Sequence, residues 1–97
     1  MKKRPRIESF GEALGDALQS FGLERRIKEQ ELVQRWPELV GSAIAKHATP
    51  LRFLNGTLWL QVDDATWRHE LFLHRADLAA TLNRALRLPL VAEVILR

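Results

Sequence analysis

Thr49-Pro50-Leu51-Arg52-Phe53-Leu54-Asn55-Gly56-Thr57-Leu58-Trp59-Leu60-Gln61-Val62 is the stretch that decides the fold. At its centre stands Asn55-Gly56. A type I′ turn needs positive φ at both central residues, and Asn followed by Gly tolerates this best. Apolar residues alternate with others on either side, so the segment predicts an antiparallel β-hairpin. With Asn55 and Gly56 as the loop, Leu54 faces Thr57, Phe53 faces Leu58, Arg52 faces Trp59 and Leu51 faces Leu60. Strand side chains alternate between the two sides of a sheet. This register therefore sends Leu51, Phe53, Leu58, Leu60 and Val62 to the core and Arg52, Leu54, Thr57, Trp59 and Gln61 to the opposite face.

Beyond the hairpin, Asp63 and Asp64 are N-cap candidates for a long helix over 65–86, whose buried stripe is Trp67, Leu71, Leu78, Leu82, Ala85 and Leu86. Pro89 stops that helix, and residues 90–96 read as a last strand. Before the hairpin, Ser9-Phe10-Gly11-Glu12 has the form of a capping box. Phe10, Ala13, Leu14, Ala17, Leu18 and Phe21 follow at helical spacing, giving a first helix over 9–21 with Gly22 as its stop. A second helix runs from Leu23 to Trp36 and ends at Pro37, and Gly41 to His47 is a short helical segment. The expected fold is a small single α+β domain in the order α-α-β-β-α-β, with a three-stranded sheet packed by helices. Two features stay open. Gly11, Gly15 and Gly22 line one edge of the first helix, which suits close backbone packing or a dimer face. Phe72, Leu73, Ala76, Ala79 and Ala80 lie off the stripe of the long helix, to be covered by the first helices or by a partner.

A chain of 97 residues fills one core. The absence of cysteine excludes disulfides and thiolate chemistry and suits a reducing, cytoplasmic setting. No secretory h-region follows Met1, and no apolar run is long enough to span a bilayer, so no membrane association is expected. The net charge of +3 favours polyanions. Lys2, Lys3, Arg4 and Arg6 have no acidic neighbour before Glu8, which sets residues 1–8 apart as a flexible basic arm before a domain over 9–97. Catalysis requires convergent groups, and the candidates are thin. His69 and His74 are five apart and diverge on one helix, unlike a metal-binding i, i+4 pair, and His47 stands alone. The adjacent carboxylates of Asp63 and Asp64 also diverge, and helix capping explains them. No phosphate-binding glycine loop or nucleophile elbow is present. The expectation is a binding protein that is not an enzyme and uses no metal or cofactor.

Several motifs occur in a familiar order: Trp36-Pro37-Glu38-Leu39-Val40-Gly41, then Ile44 to Pro50, then Gly56-Thr57-Leu58 with Leu60 and Val62, then Trp67 and Glu70-Leu71. In these the chain resembles the DciA family over residues 9–97. The resemblance implies a fold similar to a K-homology domain, here without its G-x-x-G loop. It also implies a bacterial replication protein that binds the DnaB-type replicative helicase and assists its loading on single-stranded DNA. Trp36, the tryptophan of the first motif, is either an aromatic anchor for that helicase or a core residue. Weak, sequence-independent binding of single-stranded DNA is expected from Lys2, Lys3, Arg4 and Arg6, helped by Arg52 and Trp59 on the outer face of the hairpin. The alternative is a stand-alone module for single-stranded RNA or DNA with no helicase partner.

Overall fold

A computed structural model describes residues 6–97. In chain order the elements are α1 (Arg6–Gln34), α2 (Trp36–Val40), α3 (Ser42–His47), β1 (Ala48–Leu54), β2 (Thr57–Val62), α4 (Ala65–Leu73), α5 (Arg75–Leu86) and β3 (Glu93–Leu96). Asn55 and Gly56 adopt φ values of 51° and 84°, the left-handed geometry that a type I′ turn requires. β1 and β2 pair antiparallel, with Leu54 opposite Thr57, Phe53 opposite Leu58 and Arg52 opposite Trp59. The Gly56 carbonyl accepts from the N–H of Ala92 at 2.7 Å and of Glu93 at 3.1 Å, which starts β3 beside β2. These two strands run parallel, and α4 and α5 supply the crossover that a parallel pair demands. The sheet order is β1-β2-β3, giving an α+β domain with a mixed three-stranded sheet.

One face of the sheet meets the helices. Leu58, Leu60 and Val62 of β2 pack with Leu71 of α4, with Leu78, Leu82 and Leu86 of α5, and with Leu90, Val91 and Val94. Leu32 of α1 and Trp36 of α2 close the same core. Asn83 fastens α5 to the chain entering β3: its side-chain oxygen accepts from the N–H of Leu90 and Val91, and its amide donates to the Val91 carbonyl. At the α1–α2 junction Arg35 donates to both carboxylate oxygens of Glu38 and also pairs with Glu31. The hydrogen bond from Arg35 holds the Glu31 carboxyl below the usual carboxylate range.

Four local expectations change. First, the two helices expected over 9–21 and 23–36 are one, of 29 residues, and Gly22 does not stop it. An interior Gly costs a helix about 1 kcal/mol, too little to break a run rich in Glu, Arg and Lys. Second, the long helix over 65–86 is divided at His74, which sits at φ −107° and ψ 19° and belongs to neither half. No glycine or proline marks that break. Third, β1 carries a bulge between Pro50 and Arg52, so Pro50 rather than Leu51 faces Leu60, and Leu51 is half exposed instead of core. Pro50 has no N–H to give a ladder, and bulges relieve such positions. Fourth, Ala85 is exposed, and nothing packs within 4 Å of where a Cβ would stand on Gly11, Gly15 or Gly22, so that glycine edge has no neighbour here. α1 also leaves Phe72 and Leu73 uncovered.

Leu32 is the one buried side chain of α1 among those described, and Phe10, Leu14, Leu18 and Phe21 stand open to solvent. The helix therefore projects from the body, and the molecule measures 66 × 20 × 19 Å.

Candidate functional site

The hairpin register sets Arg52 beside Trp59 on the face of the sheet away from the core. The guanidinium carbon lies 4.2 Å from the centroid of the Trp59 ring, within cation–π range. Ile95 of β3 pairs with Trp59 from the other side, so Arg52, Trp59 and Ile95 form one row across all three strands. In the next row the Thr57 hydroxyl donates to Glu93 at 3.4 Å. A flat cation lying on a half-buried indole is a surface on which a base can stack, and the guanidinium edges remain available to phosphate. Of the other residues expected to meet nucleic acid, Lys2, Lys3 and Arg4 lie outside the described residues, and Arg6 begins α1.

Trp36 is elsewhere. It is 3% exposed, and its Nε1–H donates to the Ala48 carbonyl at 2.8 Å, so the indole fills the core between α2 and β1. That placement leaves almost none of its ring to a partner. Nearby, the Asp64 carboxylate accepts from the N–H of Thr66 and Trp67 at 2.8 and 3.1 Å and caps α4 as expected. Asp63 instead meets His47 Nδ1 at 3.0 Å, while the His47 ring stacks on Trp67 with centroids 4.8 Å apart and planes 20° apart. These three residues tie the end of α3 to the entry of α4. They are 16 and 20 positions apart in the chain, so no local pattern announces their contact. Trp67, expected in the buried stripe, is half-buried against the core. Among the described residues no three His, Asp or Glu side chains converge as a metal site would need. No described helix is long and apolar enough to cross a membrane.

A second concave surface was not legible beforehand. Arg68, His69 and Phe72 of α4, with Arg75 at the start of α5, face β3 across a groove of about 630 Å³. Arg68 donates to the carbonyls of Arg97 at 3.0 Å and Val62 at 2.8 Å, which fixes the helix against the ends of two strands. Arg75 lies over the Phe72 ring at 4.0 Å and donates to the Phe72 carbonyl at 2.7 Å. The only sequence signal for this surface was Phe72, an aromatic off the buried stripe.

Comparison with known proteins places this sequence in a family. The sequence model described as "Dna[CI] antecedent, DciA" matches residues 9–96. A UPF0232 protein of Mycolicibacterium smegmatis is 31% identical over 73 residues, 75% of this chain and 38% of its own length. A UPF0232 protein of Streptomyces avermitilis is 32% identical over 80 residues, 80% of this chain and 44% of its own length. One of Mycobacterium leprae is 27% identical over 78 residues, 80% of this chain and 41% of its own length. The chain thus spans less than half the length of the curated relatives it matches.

Proposed function

The chain belongs to the DciA family, and from that premise we propose that it is a non-enzymatic accessory domain of bacterial DNA replication, one that binds the DnaB-type replicative helicase and assists its loading on single-stranded DNA. The observation that carries this reading is the family match, which runs from the outer part of α1 to the end of β3 and so takes in every described element of the fold. The open sheet face supports the DNA half of the role. Arg52 over Trp59 recognises features that every nucleotide has, a π-face and a phosphate, so it suits a protein that must act on strands of any sequence. Lys2, Lys3, Arg4 and Arg6 add charge that neutralises phosphates and releases counterions. Neither half of the role needs an active site.

The test is co-purification of this chain with the replicative helicase of its host, with and without single-stranded DNA. The expected result is a complex in both conditions. DNA binding without any helicase complex would overturn the reading in favour of a stand-alone module for single-stranded nucleic acid, to which the Arg52–Trp59 platform would then belong.

A further inference from the structure

We infer that the groove between α4 and β3 takes an extended, acidic peptide segment of a partner protein, which adds to the open edge of β3 as a fourth strand. The inference rests on the backbone of β3 and the charges facing it. β3 is the last strand of the sheet and pairs with β2 alone. Glu93 donates to the Gly56 carbonyl at 3.1 Å and Arg97 to the Leu60 carbonyl at 2.9 Å, so the backbone groups of alternate residues 93, 95 and 97 point toward β2. The N–H and C=O of Val94 and Leu96 therefore point the other way, into the groove that residues 93–96 line, and no group among the described residues meets them. Such an edge is a template for another strand, and proteins usually blunt it with proline, lysine or a covering element. Among the described residues β3 carries no proline or lysine, and no element covers its outer edge.

The opposite wall says which strand. Arg68, His69, Phe72 and Arg75 follow one another at helical spacing and share the side of α4 and α5 that faces the edge. Arg68 and Arg75 spend their observed hydrogen bonds on main-chain oxygens, Arg68 on those of Arg97 and Val62 and Arg75 on that of Phe72. Glu93 is the only carboxylate lining the groove, and it is engaged by Thr57. Two arginines and a histidine thus face a single carboxylate, which leaves the groove with an excess of positive charge, and Phe72, half exposed, offers an apolar seat between the two arginines. An acidic segment in extended conformation satisfies both walls. Its backbone matches the alternating donors and acceptors of Val94 and Leu96 at strand spacing, and its carboxylates meet Arg68 and Arg75. A polynucleotide would satisfy the cations but has no backbone of alternating N–H and C=O. This surface meets the Arg52–Trp59 face only at Ile95, and the inference holds whether or not the helicase reading does.

The experiment uses the whole chain and a fluorescein-labelled octapeptide alternating Glu with Val. Binding is followed by anisotropy, and hydrogen exchange by two-dimensional amide NMR. The expected result is saturable binding that slows exchange at the amides of Val94 and Leu96. It is weakened about tenfold or more, some 1.4 kcal/mol, by Phe72→Ala with Arg75→Gln, and is unaffected by Trp59→Ala. Both side chains are exposed, and an unchanged melting curve verifies that the double variant is folded. The same peptide N-methylated at the positions that would face β3 does not bind. Three outcomes overturn the inference: unchanged exchange at Val94 and Leu96 under saturating peptide, full binding by the N-methylated peptide, or protection of those amides by oligothymidylate but not by the peptide.

Discussion

At the residue scale, burial separates Trp36, in the core, from Trp59, half-buried on the outer face of β2. Trp36 combines ring burial with a hydrogen bond to Ala48, so its removal opens a cavity and orphans a carbonyl. Trp36→Ala is expected to lower unfolding free energy by about 3–5 kcal/mol, and Trp36→Phe, which keeps most of the volume but loses the Nε1–H, by about 1–3 kcal/mol. Urea denaturation measures both, and a parent-like midpoint for Trp36→Ala would remove the indole from the core. Trp59 is expected to leave stability nearly intact. Its loss should weaken single-strand binding by about 1–3 kcal/mol, the usual worth of one stacked base. The role proposed for the N-terminal basic residues is through charge instead. If Lys2, Lys3, Arg4 and Arg6 all meet phosphates, the logarithm of affinity falls against the logarithm of salt with a slope of about −3, from about 0.7 per contact. Deleting residues 2–6 should flatten that slope and Trp59→Ala should not, as salt titrations monitored by anisotropy would show. A deletion variant that binds like the parent at every salt concentration removes the arm from the mechanism.

At the element scale, α1 holds the main departure from a compact fold. Residues 10–21 place no side chain in the core, and the buried end of the helix is reached only at Leu32. Removing residues 1–20 is therefore expected to leave the melting temperature of the remaining domain within a few degrees of the parent, about the shift that 0.5 kcal/mol gives at this size. A drop of ten degrees or more in calorimetry would mean that the outer half of α1 supports the core after all. The elements also show what a sequence can disclose. Asn55-Gly56 gave the turn, the register of Arg52 against Trp59 and the two faces of β2, because turn chemistry and a period of two are local. Asp64 gave the start of α4 for the same reason. Leu51 was misplaced because a bulge at Pro50 shifts the register by one residue, and alternation alone cannot see an inserted residue. Gly22 and His74 misled in opposite directions. The glycine was too weak a breaker, whereas the break at His74 has no residue type that signals it. The groove beside β3 was invisible because it joins Arg68 to Leu96, and such distant pairs carry no local pattern.

At the scale of the whole molecule, the projecting helix fixes the shape. The Cα radius of gyration is 18.1 Å, against about 12–13 Å for a compact domain of this length. Small-angle scattering of the monomer is expected to give a value near the larger figure, with an elongated distance distribution, and a value near the smaller one would mean that α1 folds back onto the body. On the proposed reading, an elongated body with the Arg52–Trp59 sheet face and an adjoining groove has room to hold a strand of DNA and a protein partner at the same time. The proposed function has both surfaces engaged during helicase loading, and that leads to the most direct measurement. Replicative helicase is mixed with circular single-stranded DNA, with or without this chain, and the helicase remaining on the circles after gel filtration is quantified. The account predicts that the chain raises the helicase on DNA several-fold and that Trp59→Ala reduces the gain. Helicase that binds the chain yet is found on the circles in the same amount without it would contradict the account.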